Sequence, residues 1–173
     1  MAFASSLRAR LPSRLAEAPG NPVRDLWDRL QRVPGGARLF TRAVGLMAPY
    51  TATIGAHVEV LRLGHSEVTL ADRRAVRNHI RCVHAIALAN LAELAGNVAV
   101  AYSLPDDARF IVAKLEIEYL KKARGAIRAV VDCEVPATSE RREYRIPVRM
   151  LNGAGEEVAR STLYTLVGPK RSS

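Results

Sequence analysis

Cysteine is scarce in this chain. The two present in 173 residues, Cys82 and Cys133, make neither a disulfide framework nor a zinc spacing. A reducing, cytoplasmic setting is therefore expected. Aromatic residues make up only 5 % of the chain, and no nucleic-acid motif accompanies its positive charge, so nucleic acid is not the expected partner. No run of about 18 apolar residues occurs, so integral membrane association is not expected. The N-terminus lacks the apolar core of a secretory signal. Its Arg- and Ser-rich opening, MAFASSLRARLPSRL, has the composition of a transit peptide, but a frayed basic terminus accounts for it more simply. His57, His65, His79 and His84 share no ligand spacing, so no metal site is expected. No internal repeat or low-complexity tract is visible.

What is present is an ordinary globular balance, 49 % apolar and 25 % charged residues, in a length that suits one domain with a good core. The formal charge is +9. Eight arginines fall within the first 45 residues against three acids. Other basic clusters are Lys121, Lys122 and Arg124, and Lys170 with Arg171. Such a scattered positive surface suits a phosphorylated small ligand or an acidic carrier protein, and equally a merely solvated face.

Along the chain, residues 1–20 read as a loose segment. Asn21-Pro22 supplies an N-cap and a proline at the first helical position. Val23, Leu26, Trp27, Leu30 and Val33 then recur at helical spacing, giving a helix over 23–33 that Pro34-Gly35-Gly36 stops. A second helix, marked by Leu39, Phe40, Ala43, Val44 and Met47, ends before Pro49. These two basic amphipathic helices are expected to pack on the domain or to form a lid rather than to lie on a membrane. Strand signals begin near Thr51, with Ile54, Ala56, Val58 and Val60 alternating. Gly64 turns the chain into a second strand over 66–71. An apolar helix spans roughly 82–101. Ile111, Ala113, Leu115, Ile117 and Tyr119 alternate in the next strand, followed by 127–135, 144–150 and, after an Asn152-Gly153 turn, 156–167. Alternation this clean predicts an antiparallel sheet covered on one face. The expected class is α+β: a hotdog fold, with about five to six antiparallel strands wrapped around one long apolar helix and two short N-terminal helices. The corresponding division is a flexible segment 1–20, a helical extension 21–48, a hotdog domain 49–168 and a basic tail 169–173.

The stretch Asn78–Gly96, NHIRCVHAIALANLAELAG, concentrates the chemistry. From Val83 onward it is apolar nearly all round, interrupted by His84 and Glu93. A helix without a wet face is usually buried, and a buried carboxylate must be paired, neutralised or used. His84 and Glu93 lie about 180° apart round the helix and about 13.5 Å apart along it, so they cannot meet within one chain. Glu93 shares a polar stripe with Asn90 and Asn97. Two readings follow. Glu93 is hydrogen-bonded to those asparagines or lines a dimer interface, or it activates water or attacks an acyl carbon. The helix start offers the N–H groups of Ala85 and Ile86 to a developing oxyanion.

Asn78, followed six residues later by His84 and nine further on by Glu93, resembles the hotdog acyl-CoA thioesterases of the phenylacetyl-CoA thioesterase-like type. APYTATIGA, VRNHIRCVHAIALANLAELAG and IEYLKKARG resemble a thioesterase-like branch of that superfamily, over about residues 35–168. The resemblance implies hydrolysis of an acyl-CoA or acyl-carrier-protein thioester, with coenzyme A as part of the substrate and no cofactor. It implies that the Ala85 N–H holds the carbonyl oxygen, that His84 shapes that end, that Asn78 orients water or substrate, and that Glu93 arrives from a partner subunit. A homodimer or a tetramer of dimers is then required. His79, Arg81, Ile86 and Asn90 would line the substrate, and Lys121, Lys122 and Arg124 would meet the coenzyme A phosphates. The family's glycines are replaced here by Arg81, Ala85 and Ile86. Two alternatives stand beside this: a hotdog dehydratase using His79 and Glu93, and a non-catalytic acyl-CoA-binding protein.

Overall fold

In the computed structural model, which describes residue 18 and residues 20–170, four helices and six strands follow in the order α1 Pro22–Leu30, α2 Gly36–Met47, α3 Pro49–Ala52, β1 His57–Arg62, β2 His65–Leu70, α4 Ala85–Ser103, β3 Ala108–Tyr119, β4 Ile127–Asp132, β5 Arg142–Leu151 and β6 Glu157–Pro169. The strands form one antiparallel sheet in the order β1-β2-β4-β5-β6-β3. Helix α4 leaves β2 near one side of the sheet and delivers the chain to β3 at the far edge, so it lies across all six strands. This is the hotdog fold. Most of the loose segment expected over 1–20, and Arg171 of the basic tail, lie outside the described residues.

The inner face of the sheet carries Val58, Leu61, Val68, Leu70, Ile127, Ala129, Val131, Ile146, Val148, Met150 and Leu163, all buried against α4. Gly96 sits where helix and sheet come closest: a β-carbon there would lie 2.8 Å from a methyl of Leu163. Two serines tie the layers at polar points. Ser66 Oγ donates to the Ala95 carbonyl at 2.8 Å, and Ser103 Oγ accepts from the Gly64 N–H at 2.9 Å. Helix α4 is long and apolar enough to span a bilayer, but 67 % of that stretch is buried inside the domain, so here it serves as a core helix.

Two β-bulges correct the expected faces. One between Val58 and Val60 moves Leu61 into the core position expected for Val60. The other, between Val112 and Lys114, splits β3. Before it Phe110 and Val112 face the core, after it Leu115 and Ile117 do, and Ile111 is left 66 % exposed. An extra residue in a period-two pattern reverses every side chain beyond it, which an uninterrupted alternation conceals. The first strand also starts later than expected. Pro49 at a first helical position nucleates the single turn α3, so Thr51 and Ile54 precede the sheet. Strand β4 stops at Asp132, short of Val135.

The N-terminal helices pack on the domain. Trp27 and Phe40 meet edge-to-face at 5.0 Å and are buried. Asn21 caps α1, its Oδ1 accepting from the Arg24 N–H, while its Nδ2 donates to the Ala101, Tyr102 and Leu104 carbonyls at the end of α4. Arg24 donates to the Tyr102 and Leu104 carbonyls as well. Lys170 is spent in the same region, donating to the Ala18, Gly20 and Asp106 carbonyls.

Candidate functional site

The loop entering α4 is a tight knot centred on Asn78. Its Oδ1 accepts from the Ile80 and Cys82 N–H groups at 3.1 Å each, and its backbone N–H donates to the Cys82 carbonyl at 2.9 Å. This winding forces Arg81 to φ +58°, the one left-handed non-glycine residue among those described. A glycine is at ease there; an arginine costs roughly 1–2 kcal/mol. The replacement noticed in the sequence therefore falls on a backbone position that glycine would relax. Asn78 also has less freedom than expected for a substrate-orienting residue, because its amide oxygen is committed to the loop.

His84 is the N-cap of α4, and its Nδ1 accepts from the Ile86 N–H at 3.0 Å. This corrects the expectation that the Ile86 N–H is open to an oxyanion. Ala85, at the first helical position, has no preceding turn to use its N–H. The donor end of the helix macrodipole is thus carried by Ala85 and its neighbours, with His84 shaping it.

Beside this helix end lies a groove of about 320 Å3. Asn78, Ala85, Lys121 and Lys122 all line it, together with Leu88 and Tyr119, which sequence reasoning did not single out. Tyr119 Oη donates to the Ala85 carbonyl at 3.1 Å, and burial raises the pKa of its hydroxyl, keeping it protonated. Its place at the end of the β3 alternation was the only available signal. Lys121 is paired with Glu156 at 2.8 Å, and that pairing, with a hydrogen bond from Asn152, lowers the Glu156 carboxyl. The wall next to the groove is pinned by Asp72, which takes Arg77 Nε at 2.6 Å and the Gly125 N–H at 2.9 Å. The Arg77 hydrogen bond, chiefly, lowers the Asp72 carboxyl below its ordinary value.

Glu93 is elsewhere. It lies eight residues beyond Ala85, about 12 Å along the axis, and it is exposed on the single chain rather than buried as expected. The sheet wraps the other side of α4 and leaves open the strip bearing Ile86 and Glu93. Asn90 is buried and bonds the Tyr50 carbonyl in α3 at 3.4 Å, so it is turned toward the extension. Asn97 Oδ1 is buried without a hydrogen-bond partner. Ile86, His79, Arg81 and Arg124 are exposed and lie outside the lining of the groove. The structure thus gathers Asn78, Ala85, Lys121 and Lys122 in one place and sets Glu93 two turns away.

The chain matches, over residues 36–167, the family described as a domain of unknown function, DUF4442. No curated protein matches it. Among solved structures it is similar to a structural-genomics protein with 36 % identity and a TM-score of 0.73, covering 85 % of this chain and 98 % of the other. It is also similar to a Pseudomonas aeruginosa protein of unknown function, named a probable thioesterase, with 22 % identity, a TM-score of 0.67, and 79 % and 96 % covered. A thioesterase family protein from Silicibacter pomeroyi has 18 % identity, a TM-score of 0.62, and 75 % and 96 % covered. The two thioesterase-named structures share the fold.

Proposed function

The chain belongs to the DUF4442 family, and we propose that it is a hotdog thioester hydrolase acting on acyl-CoA or acyl-carrier-protein thioesters as a homodimer or a dimer-based tetramer. The observation that carries this is the groove at the start of α4, where a free helical N–H at Ala85, the Asn78 loop and two lysines meet. A thioester carbonyl placed there would have its developing oxyanion held by the Ala85 N–H and the helix dipole. The pantetheine and phosphates would leave past Lys122 and Arg124.

Water activation, or attack on the carbonyl, falls to Glu93. Since Glu93 cannot reach the Ala85 N–H of its own chain, the site is completed by the partner subunit's Glu93. Its exposure on a strip of α4 that the sheet does not cover supports that arrangement. The thioester sulfur leaves as the thiol, water supplies the hydroxyl of the acid, and Glu93 carries the proton between them.

Thiol release from a panel of acyl-CoAs tests the reading. Glu93→Gln is expected to lower kcat by about 100-fold or more. Ala85→Pro removes the N–H at a position where proline suits the helix, and is expected to cost about 10²–10³ in kcat. Co-refolding the two inactive variants at equal amounts should restore about a quarter of wild-type activity, because half of the dimers then hold one intact site. No hydrolysis at any chain length, or an unaffected Glu93→Gln, would refute the hydrolase. Absence of complementation would refute the shared site.

Capture of the Ile86 N–H by His84 favours a second reading, an acyl-CoA-binding protein without turnover. Binding of every acyl-CoA with no thiol release selects it.

A further inference from the structure

A second cavity opens on the other side of the Glu93 strip. The extension helices α1 and α2, the distal half of α4 and the start of β3 border a half-open cleft of about 320 Å3, lined by Val23, Val44, Met47, Val98 and Phe110, with Asn97 among them. The walls are almost wholly apolar; Asn97 lines the cleft, but its amide oxygen is turned away from solvent and so from the cleft. Asn97 lies four residues after Glu93, about 6 Å along the same face, so the cavity begins beside that carboxylate. A largely apolar cleft of this size is the form small-molecule sites take.

We propose that this cavity receives the acyl chain of the substrate, and that it takes an aliphatic chain of up to about ten carbons. The assignment rests on the hydrolase reading for its connection to Glu93. The size follows from the volume: at about 30 Å3 for each water-sized group, 320 Å3 holds about ten. The N-terminal helices thereby acquire a role in specificity: α2 supplies Val44 and Met47, and with them the depth of the pocket.

The test measures binding apart from hydrolysis, with 2-oxoalkyl-CoA thioethers of four to sixteen carbons, which cannot be hydrolysed. Affinity is expected to rise about fourfold per methylene up to about ten carbons and then to level off or fall. Met47→Trp should move that limit down by several carbons. Val44→Phe, on the neighbouring turn, should do the same and serves if Met47→Trp fails to fold by its thermal melt. Affinity independent of chain length, or a limit that neither filling variant moves, overturns the pocket. If the chain-length limit shifts as expected but no acyl-CoA is hydrolysed, the hydrolase reading fails and the pocket stands. If hydrolysis depends on Glu93 but the limit does not move, the pocket alone fails.

Discussion

Replacing Asn21 by alanine should loosen the C-terminal end of the central helix. Asn21 is 6 % exposed and works at both of its polar atoms. Its Oδ1 caps α1 through the Arg24 N–H at 3.0 Å, and losing such a cap costs about 1 kcal/mol. Its Nδ2 donates to the Ala101 carbonyl at 2.8 Å. Four residues on stands Pro105, which has no N–H, so that carbonyl cannot be satisfied within the helix. Arg24 covers the Tyr102 and Leu104 carbonyls but has no bond to that of Ala101. Leaving a buried carbonyl unpaired costs about 1–3 kcal/mol. The sum is about 2–4 kcal/mol, or a fall in Tm of roughly 5–12 °C for a chain of this size. Thermal and urea unfolding would measure it. Asn21→Asp separates the two roles. It keeps the acceptor for Arg24 but turns an anionic oxygen toward the carbonyl end of a helix, so it should be at least as damaging as alanine. An aspartate variant as stable as the wild type would show that the donation to α4 contributes nothing and would refute the reasoning.

Three further outcomes follow from other parts of the molecule. Arg81→Gly should leave stability unchanged or raise it by up to about 1 kcal/mol in urea unfolding, because relief of the left-handed backbone is offset by a more flexible unfolded chain, whereas Arg81→Val should lose about 1–2 kcal/mol. Asp72 has a lowered carboxyl, so its contribution is complete above the ordinary value of 3.8 and fades as the pH falls through the lower folded one. The stability difference between wild type and Asp72→Asn should accordingly hold from neutral pH down to about pH 5 and close below about pH 4; a gap unchanged at pH 3 would contradict the ion pair's role. Burial and the flanking Asp132 and Glu134 push the Cys133 thiol up to about 11. At pH 8 its alkylation should be about two orders of magnitude slower than that of a free cysteine, and should recover in urea.

Much of the architecture was legible in the chain, and the places where it was not share one cause. The cap at Asn21, the turn at Gly64 and the single apolar helix are local features, and they appear where periodicity puts them. Ile111 looks like a core residue in the sequence because nothing in a string of alternating residues marks a bulge; only pairing against β6 shows that the phase reverses at Val112. Glu93 looks buried because its neighbours are apolar, but burial depends on which side of α4 the sheet covers. The Ile86 N–H looks available until the His84 ring is placed. Conversely Tyr119, 34 residues from Ala85, had no sequence signal that would join it to the helix end.

Residue types at fixed spacing therefore determined by themselves that a long apolar helix must be wrapped by an antiparallel sheet, and that His84 and Glu93 cannot meet within one chain, since both follow from helical and strand periods. Only the tertiary structure decided which polar groups share a cavity. The gathering of Asn78, Ala85, Tyr119 and Lys122 at one end of α4, and of Met47, Phe110 and Asn97 at the other, depends on loop winding, bulge register and the docking of the N-terminal helices. Those are set by long-range packing, and a local period carries no record of them.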